Sequence, residues 1–185
     1  MSLDFCHLHV HSEYSILDGL NKIDKLCERV AELGMTSCAL TDHGVMHGAI
    51  EFYKHAKKNG IKPLVGVEAY ITEDPDDSEV KTKDNNHLVM IAMNEKGLEN
   101  LIWMTNQANL HNFYYKPRIW EKHLETRAEG IVVTSACLGG VIAKKGFPKK
   151  PTRKGLSQEE YDAAMQVYVA SRGMVMFGLL VRKMA

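Results

Sequence analysis

"TSCALTDHGVMHGAIEFYKHAKKNGIKPLVGVEAYI" (residues 36–71) is the stretch that decides the fold. It begins with a strand-like apolar run, "TSCALT" (36–41), and ends with another, "KPLVGVEAYI" (62–71). Between them, "GAIEFYKHAKKNG" (48–60) has helical spacing, stops at Gly60 and has Pro63 just beyond. A strand, a helix and a strand of these lengths imply parallel strands joined by a crossover. Such folds collect functional side chains at the C-terminal ends of their strands. Here those ends offer Asp42 and His43 in "TDHG" and Glu68 late in the third run.

Working outward, the alternation continues on both sides. "FCHLHV" (5–10) reads as the first strand, and "NKIDKLCERVAELG" (21–34) as a helix with Ile23, Leu26, Cys27, Val30 and Leu33 on one face. Asn21 can cap its start and Gly34 its end. "HLVMIAM" (87–93) and "GIVVTS" (130–135) read as further strands, with a helix after Asn94 that carries Leu98, Leu101, Ile102 and Thr105 on one face. "TEDPDDSEVKTKDNN" (72–86) is acidic and poor in apolar residues, a surface excursion. "SQEEYDAAMQVYVAS" opens with a Ser157–Glu160 capping box and puts Tyr161, Ala164, Met165 and Tyr168 on one face. The expected class is α/β with a parallel sheet or barrel. His87 fits poorly, because it starts its strand and would lie at the wrong end.

Bulk properties exclude several functions. The 185 residues suffice for one domain with a real core. Twenty-three basic residues balance 23 acidic ones, so no global field draws the chain to nucleic acid or an anionic membrane. The N-terminus lacks the charge and apolar run of a signal peptide, and no apolar stretch is long enough to span a bilayer. Cys6, Cys27, Cys38 and Cys137 form no CxxC pair, which suits reduced thiols in a cytoplasmic protein. "AKKGFPKKPTRKG" (143–155) is locally basic and reads either as a solvated loop or as a phosphate-backbone contact.

The titratable residues concentrate in "FCHLHVHSEYSILDG" (5–19) and at the strand ends. Same-face residues on a strand are about 6.6 Å apart, so His9 and His11 can converge on one ion. His7 and His11, about 13 Å apart, cannot easily share one, and His7 is read as packing. An isolated HxH pair also suits a hydrogen-bonded core. Glu68 inside an apolar run demands compensation, from cations or from a buried ion pair. His87 and the thiol of Cys137 in "SACLGG" add donors. Together these exceed the needs of one tetrahedral ion and suggest two or three cations, a type of site that activates water and clamps phosphate oxygens.

"HLHVHSEYSILDGL", "ALTDHGVMHGAIEFYKHAKKNGIKPLVGVEAY", "NNHLVMIAMNEKGLENL" and "GIVVTSACLGG" together resemble the PHP (polymerase and histidinol phosphatase) domain family, in the branch that opens the bacterial DNA polymerase III alpha subunit. The resemblance covers roughly residues 3–146 in register, with a thinner echo through "LSQEEYDAAMQVY" (156–168). It implies a distorted (β/α)7 barrel, incomplete at the C-terminal end here, with a PHP domain over 1–172 and an unrelated tail over 173–185. It implies His9, His11, Asp18, His43, Glu68, His87 and Cys137 as ligands of two or three divalent ions, zinc, manganese or magnesium. Asp42 would support the ligands, and Glu68 and His43 would also serve catalysis. Asp18 and Cys137 resemble the polymerase branch; stand-alone phosphatases of the superfamily tend to have His at both.

Three functions are then in competition. One is a metal-dependent phosphoesterase or 3′–5′ exonuclease module. A second is a silent brace that docks a proofreading exonuclease subunit. The third is a free-standing phosphatase. The resemblance implies DNA and other replicative subunits as partners of a longer, cytoplasmic protein, with no membrane. Polymerase motifs are absent from these residues, so the chain is expected to be a fragment. Its open barrel is expected to associate with itself.

Overall fold

The computed structural model describes residues 5–73, 84–146, 155, 157–163 and 166, in two compact units, Met1–Cys137 and Leu138–Ala185. The first unit contains α1 (Ile23–Glu32), β1 (Ser37–Leu40), α2 (Ala49–Lys58), β2 (Lys62–Thr72), β3 (Asn86–Ala92), α3 (Glu95–Leu110), β4 (Phe113–Tyr114), β5 (Lys116–Trp120), α4 (Glu121–Arg127) and β6 (Ile131–Thr134). The second contains α5 (Val141–Gly146) and a helical turn that starts at Ser157. Ser157 and Glu160 form the expected capping box: the Ser157 amide donates to the Glu160 carboxylate at 2.8 Å, and the Glu160 amide to Ser157 Oγ at 3.2 Å. Ala164, Met165, Tyr168, the boundary at 172, residues 74–83 of the acidic stretch and residues 147–154 of the basic one lie outside the described residues.

Residues 5–10 do not form the regular strand that their alternation suggests. His7 bridges Cys38, and the amides of Ala39 and Thr41 donate to the carbonyls of His7 and Val10, each at 2.8 Å. The Val10 amide turns instead to the Thr41 hydroxyl at 2.9 Å. A side chain thus replaces a backbone acceptor, and the ladder breaks at the histidines. His7 meets the Phe5 ring edge-on at 4.8 Å, a packing role as expected.

α1 buries Ile23, Cys27 and Val30, which form one core with Cys38, Leu40, Phe52 and Ala56 from β1 and α2. Gly34 ends it at φ 75, where the left-handed conformation costs glycine little. Asn21 is not its cap. Lys22 holds that position without a side-chain bond, while Asn21 Nδ2 donates to the His11 carbonyl at 2.8 Å and pins the preceding loop.

The sheet is mixed, which corrects the expected parallel order. β2 is flanked in parallel by β1 at its start and by β5 at its end, on the side away from β3. β3 runs antiparallel to β2, and β6 antiparallel to β3. No crossover helix is needed between β2 and β3, and the connecting stretch has no helical pattern. The reversal resolves the anomaly of His87: the start of β3 lies beside the C-terminal end of β2, with His87 opposite Tyr70. β4 and β5 escape a sequence reading because "KPRIW" breaks its apolar run with a proline and two cations.

α3 is capped by Asn94, whose side chain accepts from the Gly97 amide at 2.9 Å. Its buried stripe is Gly97, Asn100, Leu101, Met104 and Ala108. Ile102, expected inside, is 46% exposed. The stripe follows Gly97 because that residue touches backbone: a Cβ there would overlap the Gly130 carbonyl. Val67, Ala69 and Ile71 of β2 pack with Leu101, Met104 and Ala108 in a second core. By strand alternation, Glu68 and Tyr70 point to the opposite face.

Candidate metal centre

Glu68 is the hub. It is 1% exposed, and its Oε2 lies 3.0 Å from Nε2 of both His9 and His11 and 3.1 Å from His43 Nδ1. Its Oε1 lies 2.7 Å from His87 Nδ1 and 3.6 Å from Cys137 Sγ, which is itself 3.4 Å from His87 Nδ1. Asp18 Oδ2 reaches His43 Nε2 at 2.9 Å. All seven residues singled out as ligands therefore meet at one place. Three overlapping groups, His9–His11–Glu68, His11–Asp18–His43 and His43–Glu68–His87, could each hold an ion. Cys137 adjoins the third.

Local structure explains how each side chain arrives. The broken first segment brings His9 and His11 alongside the end of β1. Asp18 follows a tight turn in which the Ser15 carbonyl accepts from the amides of Asp18 at 3.1 Å and Gly19 at 2.7 Å. The turn after β1 is tied to β2 because the Glu68 amide donates to the Asp42 carbonyl at 3.0 Å and the Gly44 amide to the Glu68 carbonyl at 2.9 Å. Gly44 has φ 64, and a Cβ there would come within 2.5 Å of Pro117. Ala136, at φ 55, turns the chain just before Cys137.

Asp42, expected to support the ligands, bonds two serines that a sequence reading misses, and one of them, Ser15, contacts His11. Asp42 is buried and accepts from the Ser12 amide at 2.6 Å, Ser12 Oγ at 2.7 Å and Ser15 Oγ at 2.7 Å. The Ser15 hydroxyl has one proton, and the carboxylate takes it. Ser15 can then only accept from its other neighbours, the His43 amide at 3.1 Å and His11 Nδ1 at 3.1 Å. His11 Nδ1 therefore carries a proton, which leaves a neutral His11 with a bare Nε2 lone pair. The residues between His11 and Asp18 carry no periodic pattern, so only their small polar character hinted at this network.

The bare Nε2 of His11 points at two other electron-rich atoms, His9 Nε2 at 3.0 Å and Glu68 Oε2 at 3.0 Å. Such a convergence needs a positive charge among the atoms. A proton supplies it in the metal-free chain. Burial works against a charged His11, but the hydrogen bond and charge of Glu68 outweigh it and hold the ring above its ordinary range. Burial likewise pushes the Glu68 carboxyl up, and the hydrogen bonds of His11, His87 and His9 more than reverse this, leaving it far below the usual carboxylate range. A divalent cation supplies the charge equally well. Donors about 2.0–2.1 Å from one ion lie about 2.9–3.4 Å apart at octahedral to tetrahedral angles, close to the spacing here. His43 Nδ1 is buried near Glu68 Oε2 without hydrogen-bond geometry, one more donor aimed inward without a proton partner. The residues fit a cation cluster.

The cluster opens into a cleft of about 500 Å³, lined by Asp18, His43, Tyr70 and His87 as well as Tyr14, Phe113 and Lys116. Among the described residues, no helix is long and apolar enough to cross a membrane.

Comparison with known proteins places the sequence in a family. The PHP domain family matches residues 7–175. The DNA polymerase III subunit alpha of Helicobacter pylori is 46% identical over 163 residues, 88% of this chain and 14% of that protein. Its counterpart from Borreliella burgdorferi is 46% identical over 145 residues, 76% of this chain and 12% of that protein. A solved amidohydrolase of Chromobacterium violaceum is 24% identical with a TM-score of 0.39, over 55% of this chain and 34% of that one. The chain thus spans about a seventh of the length of the curated relatives it matches. With its matching span and its histidine–carboxylate cluster, the chain belongs to the PHP domain family.

Proposed function

We propose that the chain is the PHP module of a bacterial replicative DNA polymerase III alpha subunit, and that its metal centre hydrolyses phosphodiesters in the 3′–5′ direction. The observation that carries this reading is the convergence of histidine nitrogens on one buried carboxylate. The Nε2 atoms of His9 and His11 lie 3.0 Å from it and from each other. His9, His11, Asp18, His43, Glu68, His87 and Cys137 would hold two or three divalent ions, zinc, manganese or magnesium. Bound there, the ions supply an activated water and neutralise the phosphate oxygens. Glu68 keeps the ligands together from its two oxygens, and His43 joins the groups on either side of it. Asp42 and Ser15 fix the His11 tautomer. A silent brace would have no need of so complete a donor set.

In this reading the described sheet is part of a distorted (β/α)7 barrel. Support comes from its sidedness, with α3 on one face of β2 and Glu68 on the other. The proposed partners are DNA, the other replicative subunits and a proofreading exonuclease, in the cytoplasm. The test uses the whole chain loaded separately with zinc, manganese or magnesium. A labelled single-stranded oligonucleotide is compared with a phosphomonoester. The expected result is stepwise, metal-dependent nucleotide release from the oligonucleotide that Glu68→Gln abolishes. Hydrolysis that persists in Glu68→Gln, or preference for the monoester, would contradict it.

A further inference from the structure

Lys116 is the only lysine or arginine among the described residues that line the cleft. Its ammonium lies 3.0 Å from the Tyr70 hydroxyl and 4.4 Å from the centre of the Tyr70 ring. That ring stacks on His43 at 6.0 Å and 11° and meets His87 edge-on at 5.1 Å. A single buried aromatic ring therefore separates the ammonium from two of the histidines. Tyr70 occupies one of its three donor protons, and Lys116 forms no ion pair among the described residues.

The hairpin that carries Lys116 is held firmly. Tyr115, at its tip, has φ 60, a conformation that an aromatic residue keeps only where its surroundings impose it. Pro117, on the other side of Lys116, abuts the position where Gly44 would carry a Cβ, so β5 is fixed against the turn that supplies His43. A half-buried, unpaired cation set at a fixed place beside a cation-binding cluster calls for an anion that both can share. Phosphate has several oxygens to offer, some to the ions and one to a point-charge donor.

Resting on the phosphoesterase reading above, we propose that Lys116 binds a non-bridging phosphate oxygen of the ester cleaved at the metal centre, with Tyr70 as the residue that positions its ammonium. The test is calorimetric titration of inorganic phosphate into the manganese-loaded whole chain, with manganese content measured in parallel. The wild type binds phosphate. Lys116→Met keeps its manganese and binds phosphate at least about 10-fold more weakly, the size of one charge-assisted hydrogen bond. Tyr70→Phe gives a smaller loss, and Lys116→Arg recovers part of the affinity. Unchanged phosphate affinity in manganese-loaded Lys116→Met overturns the proposal. Loss of manganese in that variant also overturns it, by making Lys116 a structural support. A wild type that binds manganese but no phosphate contradicts the phosphoesterase reading itself.

Discussion

Single side chains set the chemistry here, and their environments differ sharply. Burial pushes the Cys38 thiol up to about 12 and the Cys27 thiol up to about 11, whereas Cys137 is exposed beside His87. Alkylation at pH 8 followed by mass spectrometry should label Cys137 and spare Cys27 and Cys38, and a bound cation should slow the labelling of Cys137. The two buried thiols favour the folded state fully below about pH 9. That contribution is lost as pH rises through their folded values, so thermal stability should fall on the alkaline side. Ser15 offers a second test at this scale. Ser15→Ala removes the acceptor that fixes the His11 tautomer, and cation affinity should weaken roughly 10–100-fold with the circular dichroism spectrum unchanged. Unchanged affinity would show that the His11 tautomer does not depend on Ser15.

At the scale of elements, Gly97 makes a prediction of unusual sign. Alanine for glycine in a helix ordinarily stabilises by about 1 kcal/mol. Here a Cβ would overlap the Gly130 carbonyl, which also accepts from the Met93 amide at 2.8 Å. Gly97→Ala should therefore destabilise by about 1–3 kcal/mol in denaturant titration; a stabilised variant would show that α3 does not approach β6 so closely. The same contact explains what a sequence can and cannot reveal. The end of α1 at Gly34, the start of α3 after Asn94 and the strands of 36–71 were legible because capping residues and apolar periods are local, whereas the cap of α1 was not, since Asn21 bonds the His11 carbonyl instead. The inward stripe of α3 was not, since backbone contact at Gly97 outranked the apolar period that pointed to Ile102. Strand direction was hidden too, because His87 opposite Tyr70 depends on a pairing that no local period records. His9, His11, His43, Glu68 and Cys137 stood out by chemistry and position, and Asp18 through the family resemblance. Ser12, Ser15 and Lys116 did not, because their importance comes only from the partners that folding gives them.

For the molecule as a whole, folding and cation binding draw on the same residues. The first segment, the turn after β1, β3 and the residues after β6 each deliver a donor to the one carboxylate on β2, so an ion there ties distant parts of the chain together. Its rival is a proton. In the metal-free chain the charged His11–Glu68 contact is fully formed below about pH 6.5, the ordinary histidine value, and is lost as pH rises through the raised value of His11. The stabilisation supplied by a cation should therefore widen from pH 6 to pH 8. The most direct test of the centre is elemental analysis and manganese titration of the purified chain at pH 8, beside a His9→Ala/His11→Ala variant. We expect the wild type to hold divalent metal and to melt at a higher temperature when loaded, and the variant to lose metal together with that gain. Equal metal content in the two proteins would contradict a centre built on Glu68 and these histidines.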